Sequence, residues 1–324
     1  MSADDGYLVA DIGGTNARFA IARGDRRRGF AIENVRRFEN RHFEDLREAA
    51  HTYLEGCEGD RPRGGCIAVA GPVSPGVVRL TNSTWHFQPD VLARELGMDA
   101  LAAVNDFAAQ ARGAPLAPVK DTITVRDAKA DRGAPCAVLG PGTGLGLGLL
   151  IPRDGDFIVV PTEGGHAGFA PRSEEEAAVG RFIAREQGFA SWERLLSGAG
   201  LVNIHRALCG LDGVPWPEVR PEDITQEALV DPTSVSRRVV DLFCAVLGAY
   251  AGDVAVMSGA RGGVYLGGGI LPRIRSLLES SAFEMRFTQR EPMTDYASAI
   301  PVWLILSDIV PLLGAAALAE NGGV

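Results

Sequence analysis

The chain has 324 residues, 46% hydrophobic and 23% charged, which is ordinary for a folded globular protein and enough for two domains or one domain with large insertions. A formal charge of −9 excludes nonspecific attraction to nucleic acid or anionic membrane, so neither is expected as a partner. Glycine is in excess, at 40 residues against an average of about 7%. It clusters at Gly13-Gly14, between Gly140 and Gly148, at Gly164-Gly165 and between Gly262 and Gly269, a distribution that suits several binding loops better than one linker.

The five cysteines (Cys57, Cys66, Cys136, Cys209, Cys244) are widely spaced and form no C-x-x-C pair. Neither a disulfide framework nor a thiolate zinc site is expected, and reduced thiols point to the cytoplasm. The acidic start Met1-Ser2-Ala3-Asp4-Asp5 is the opposite of a secretory signal, and no apolar run reaches membrane-spanning length. The sequon Asn82-Ser83-Thr84 is therefore expected to stay unglycosylated.

The opening run, Tyr7-Leu8-Val9-Ala10-Asp11-Ile12-Gly13-Gly14-Thr15-Asn16-Ala17-Arg18-Phe19, predicts a strand, a tight turn and a returning strand. Gly13 and Gly14 permit positive φ and leave backbone N–H groups open to an anion, while Thr15 and Asn16 add side-chain donors. Asp11 makes sense beside a phosphate only with a cation such as Mg²⁺, or its coordinated water, between them. A basic loop at 23–28 is followed by an amphipathic helix within 43–56 and a buried strand at 66–70, closed by Gly71-Pro72. A strand at 77–80, a helix at 91–96, a strand at 100–104 and a helix at 107–112 complete the first half.

Residues 113–118, Gly-Ala-Pro-Leu-Ala-Pro, are the expected hinge or domain boundary. Beyond it the strand at 135–139 enters Gly140-Pro141-Gly142-Thr143-Gly144-Leu145-Gly146, and 147–151 returns as a strand. Strand, glycine turn with Thr, strand repeats the opening pattern, so two related halves are expected, each with one phosphate-binding hairpin. Ser173 with Glu176 has the form of a capping box for a helix to about 187. A long helix at 235–257, a strand at 263–266 running into Gly267-Gly268-Gly269, a helix at 274–278, a strand at 300–306 and a helix at 310–319 end the chain. Strands alternating with helices predict an α/β protein with a mixed sheet in each half.

Asn105-Asp106 stands where a strand ends and a helix begins. Asp there is equally a helix N-cap or a carboxylate able to take a proton from a hydroxyl. In Glu163-Gly164-Gly165-His166 the glycines would let a ligand approach a carboxylate and an imidazole. One His and one Glu are too few for a metal site. With Glu193, which could also be a plain helix charge, these residues form a set without fixed positive charge, suited to a neutral polyol. Gly267-Gly268-Gly269 reads either as a bare surface for a nucleotide or as a packing turn.

These motifs, with the run from Glu193 to Leu201, resemble the bacterial glucokinase family in order over nearly the whole chain. The resemblance implies an actin-like (ribonuclease H-like) fold of two α/β domains around a cleft. It places 1–112 with the C-terminal helix 308–324 in the small domain and 113–307 in the large one. It implies transfer of the γ-phosphate of Mg·ATP to O6 of glucose, with ADP released, by a protein that is usually a homodimer. Asp106 resembles the catalytic base, and Asn105, Asp106, Glu163, His166 and Glu193 the sugar-binding set. Asp11, Gly13, Gly14, Thr15 and Asn16 resemble the first phosphate loop, Gly142, Thr143 and Gly144 the second, and Gly267, Gly268 and Gly269 the adenosine-side loop. The cysteine-rich zinc motif of the neighbouring repressor–kinase (ROK) sugar kinases is missing, so no structural zinc is expected, nor a DNA-binding helix-turn-helix before Leu8. Another hexose, another donor such as polyphosphate, or a sugar sensor without turnover are the rival readings.

Overall fold

The computed structural model describes residues 6–71, 73, 76–80 and 83–322. The acidic start at 1–5, Pro72 and, from the sequon, Asn82 lie outside these residues. The chain divides into two compact units, Met1–Val119 with Ser307–Val324, and Lys120–Leu306.

The first unit opens with an antiparallel meander of β1 (Tyr7–Ile12), β2 (Asn16–Asp25) and β3 (Gly29–Glu39). A 3-10 turn at Asn40–His42 leads to helix α1 (Leu46–Glu55), capped by Asp45, which accepts the Glu48 N–H. Then come β4 (Gly64–Val69), a small ribbon of β5 (Val78–Arg79) and β6 (His86–Phe87), helix α2 (Pro89–Glu95), β7 (Ala100–Asn105) and helix α3 (Asp106–Gly113). The sheet order is β3-β2-β1-β4-β7, with β4 parallel to both β1 and β7. Strand β3 escaped the sequence reading for a physical reason. It is an edge strand, mostly exposed and rich in charge, and Asn34 at φ 53° interrupts its alternation. The Gly-Ala-Pro-Leu-Ala-Pro segment begins as packed structure: Gly113 closes α3, and Ala114–Leu116 form a 3-10 turn.

The second unit contains β8 (Thr122–Arg126), β9 (Cys136–Pro141), β10 (Leu145–Arg153) and β11 (Asp156–Thr162). Helices α4 (Glu174–Gln187), α5 (Gly198–Asp212), α6 (Pro221–Val230) and α7 (Val235–Ser258) follow. The unit ends with β12 (Gly263–Leu266), the short helices α8 (Arg275–Glu279), α9 (Phe283–Thr288) and α10 (Thr294–Ser298), and β13 (Val302–Ile305). Helix α7 is apolar and long enough to cross a membrane by composition, but most of it is buried inside this unit as its core helix. Ser173 caps α4 by accepting the Glu176 N–H; the Glu176 carboxylate reaches past Ser173 to the Arg172 N–H at 2.6 Å. The sheet order is β11-β10-β9-β12-β13-β8, antiparallel over its first three strands and parallel from β9 through β12 to β13. An antiparallel hairpin meander followed by two parallel strands is thus common to both units, the repetition expected from the two glycine turns.

The last helix, α11 (Val310–Glu320), belongs to the first unit and is buried on all sides through Leu312–Leu318. A helix apolar all round has no solvent face and must be enclosed. It crosses α3 at two glycines. A Cβ on Gly113 would stand 2.0 Å from the Val310 carbonyl oxygen, and one on Gly314 1.8 Å from that of Ala109. Backbone cannot give way there as a flexible side chain can. Gly314→Ala should therefore destabilise the protein by about 1–3 kcal/mol or more, the cost of overpacking. An unchanged urea midpoint, followed by far-ultraviolet circular dichroism, would show that the two helices do not pack this closely.

Candidate active site

In the first unit the three parallel strands are in register, with Ile12 level with Val69 and Val69 level with Asn105. Their C-terminal ends open on one edge of the sheet, where parallel α/β sheets meet ligands. Asn105 is tied down at that edge through both ends of its amide. Its Nδ2 donates to the Gly71 carbonyl at 3.0 Å, and its Oδ1 accepts from the N–H groups of Phe107 at 2.9 Å and Ala108 at 3.1 Å. Asn105 is thus the cap of α3, and one amide hydrogen remains to it for a ligand.

Asp106 is relieved of the capping role that its residue type alone suggested. It lies one residue inside the helix, and one carboxylate oxygen accepts the Phe107 N–H at 2.8 Å. Burial pushes its carboxyl up to about 6; the Phe107 N–H opposes this, and the charge of Asp11 adds to it. Such a group is mostly ionised at neutral pH and still basic enough to accept a proton.

The turn after β1 is held from behind. Gly13 N–H donates to the Asn16 carbonyl, Asn40 N–H to the Thr15 carbonyl, and Asn40 Nδ2 to the Gly13 carbonyl, each at 2.9 Å. Asn40 is buried and was not singled out by the sequence, because it is 24 or more residues from the turn and no local pattern ties it there. Neither Gly13 nor Gly14 has positive φ, which corrects the reason for expecting glycine at this turn. What glycine contributes is bare backbone beside the exposed Thr15 and Asn16. Asp11 pairs with Arg18 Nη2 at 2.8 Å, and Arg18 Nη1 reaches Asp308 at 2.8 Å.

The second unit brings together Glu163, His166 and Glu193. His166 Nε2 lies 3.7 Å from Glu163 Oε2, and its Nδ1 lies 3.7 Å from Glu193 Oε1. The other oxygen of Glu193 accepts the Leu145 N–H at 2.9 Å, tying this group to the end of the turn that carries Gly142, Thr143 and Gly144. Gly144 is required by that approach, since a Cβ there would stand 2.6 Å from Glu193 Oε2. The turn is closed by Gly142 N–H to the Gly144 carbonyl and anchored by Gly198 N–H to the Gly142 carbonyl, both at 2.8 Å. The glycines of the 163–166 turn allow close packing on β10. A Cβ on Gly165 would meet the Leu145 carbonyl oxygen at 2.3 Å, and one on Gly164 would meet Leu147 Cδ2 at 2.3 Å.

A cavity of about 520 Å³ lies beside the second turn, lined by Gly142, Thr143, Gly198, Pro221, Gly269 and Ile270 among others. Of the triple glycine, Gly267 donates its N–H to the Leu139 carbonyl at 2.7 Å. Gly268 sits at φ +83° with the Pro141 carbonyl oxygen 2.3 Å from where a Cβ would be, a place only glycine can take. Gly269 is open and lines the cavity. A backbone hydrogen bond and close packing thus occupy the first two, and the third borders the cavity. The wall supplied by α5 and α6 was not legible in sequence, because only the tertiary fold carries those helices to the turn.

Among the described residues, no group of three or more His, Cys, Asp or Glu side chains is placed to hold a metal ion. One carboxylate at Asp11, with water and phosphate oxygens completing the shell, suits Mg²⁺, which keeps much of its water.

The family model for glucokinase matches residues 8–322. The glucokinase of Chromobacterium violaceum is 39% identical over 97% of this chain and 89% of that protein. The glucokinase of Nitrobacter hamburgensis is 40% identical over 96% of each. A glucokinase crystal structure from an Antarctic psychrotroph, 36% identical, superposes with a TM-score of 0.92 over 98% of this chain and 99% of that one. Matched along nearly its full length in both sequence and fold, the chain belongs to the glucokinase family.

Proposed function

We propose that this chain is an ATP-dependent glucokinase that transfers the γ-phosphoryl group of ATP to the 6-hydroxyl of glucose, releasing ADP, in the cytoplasm. Asp106 carries this reading. It is a carboxylate excused from capping by Asn105, set at the C-terminal edge of the parallel strands and raised towards neutrality by burial. As general base it accepts the O6 proton while the oxygen attacks phosphorus, and the last Asn105 N–H is available to the sugar. Glu163, His166 and Glu193 offer acceptors to the remaining hydroxyls. Backbone N–H groups and the Thr15, Asn16 and Thr143 hydroxyl or amide groups of the two turns hold phosphate oxygens. The cavity bounded by Gly269 takes the adenosine. Mg²⁺, when bound, neutralises charge on the transferring phosphoryl oxygens, and Asp11 is the residue that would hold its water.

Asp106→Asn should lower kcat by about 10²–10⁴, the usual worth of a positioned base. It should melt no lower than the parent, since the cap is Asn105 and a carboxylate raised by burial is ionised at some cost at pH 7. For the unmodified chain kcat/KM should fall as pH drops through about 6, where Asp106 takes up a proton and is lost as a base. Near-normal turnover by the variant would move the base elsewhere.

Removing Mg²⁺ with EDTA should abolish turnover, and adding excess Mg²⁺ should restore it. A zinc-selective chelator should change neither activity nor melting, and stoichiometric zinc in the purified protein would contradict the cysteine argument.

The proposed ligand groups are divided between the two units, so one glucose that engages all of them must lie between the units. We propose such a cleft and its closure on the sugar, which also keeps water from the phosphoryl group. Saturating glucose should shrink the radius of gyration in solution scattering, and the same data should give the mass of a homodimer. A radius indifferent to glucose would rule out closure, and a single-chain mass would rule out the dimer.

A further inference from the structure

Tyr250 lies on α7 with 1% of its surface exposed, and its hydroxyl is buried without a hydrogen-bond partner among the described residues. Its position behind the proposed sugar residues is specific. The hydroxyl is 3.0 Å from where a Cβ of Gly164 would stand, and Thr162 Oγ1 is 3.3 Å from the same point. Thr162 Oγ1 donates to the Leu147 carbonyl at 3.0 Å and accepts the Gly164 N–H at 3.1 Å, which leaves it one lone pair. The Tyr250 ring also packs on Trp192 with centroids 4.9 Å apart, and Trp192 immediately precedes Glu193. One aromatic residue therefore underlies both the 163–166 turn and the approach to Glu193.

Leaving a buried hydroxyl unsatisfied is costly, and phenylalanine would fill the same space without that cost. The side chains above it are free to be drawn by a ligand: those of Glu163 and His166 are 90% and 61% exposed. We propose that Tyr250 is a positioning residue of the sugar site, its hydroxyl donating to Thr162 Oγ1 when bound glucose engages Glu163 and His166. Burial pushes the Tyr250 pKa upward, so the hydroxyl stays protonated and a donor at any working pH. The completed chain runs from Tyr250 through Thr162 to Leu147 on β10, fixing the turn's height above the strand that also receives Glu193. Sugar binding is then coupled to the hydrogen bond between Tyr250 and Thr162.

This inference rests on the glucokinase reading, and the two fail separately. Glucose binding and turnover by the unmodified chain test that reading; the variants test Tyr250. Calorimetry on the whole chain should show Tyr250→Phe binding glucose about tenfold more weakly, with KM for ATP within twofold of the parent and a melting temperature equal or higher. In a Thr162→Val background, which lacks the acceptor, adding Tyr250→Phe should change glucose affinity little further. Unaltered glucose affinity in Tyr250→Phe would overturn the proposal, as would equal weakening towards glucose and ATP. A full tenfold loss persisting in the Thr162→Val background would overturn Thr162 as the partner, and with it the proposed network.

Discussion

The candidate site residues of the first unit depend on the in-register parallel pairing of β1, β4 and β7. Setting Ile12, Val69 and Asn105 level brings three strand ends out together: the turn with Gly13, the peptide of Gly71, and Asp106. Asn105 converts this coincidence into a fixed geometry by bonding Gly71 on the neighbouring strand's exit while capping the next helix. A slip of one residue in β7 would turn Asn105 to the other face and break both attachments. The buried faces of these strands, with Leu8, Ala10, Ile12, Ile67 and Val69 in the core, oppose such a slip.

In the second unit the organising contact is Glu193. Its two carboxylate oxygens face different duties, one bonded to the Leu145 N–H at the end of the second turn and the other beside His166. A group that touches both the 142–145 turn and His166 ties their positions together. Gly144 makes this approach sterically possible, and Gly164 and Gly165 let the neighbouring turn lie directly on β10.

The electrostatic pattern is consistent with an acidic chain that handles phosphate. The net charge is −9, and Arg18, next to the first turn, is already divided between Asp11 and Asp308. Bare turn N–H groups are the local source of positive potential, and they act over short range only. Burial first, and then the charge of Asp11, raise the basicity of Asp106, the proposed base.

The order of elements, the two glycine hairpins and the site-bearing motifs were legible in the sequence because each is local. A strand ending in Asp-Ile-Gly-Gly-Thr-Asn, a strand ending in Val-Asn-Asp, and the run Glu-Gly-Gly-His announce themselves within ten residues by periodicity and turn chemistry. The charged edge strand β3 was not legible, since exposure on both faces erases the alternation that marks a strand. Nor was the division of labour at Asn105-Asp106, because both residues cap helices equally well and only the position of Gly71 assigns the cap to Asn105. Asn40, Tyr250 and the walls of α5 and α6 lie far along the chain from the groups they support. Sequence by itself determined which residues are candidates for the chemistry; the tertiary structure decided which of them have groups left to use, because hydrogen-bond capacity is finite and is allotted only when distant backbone arrives.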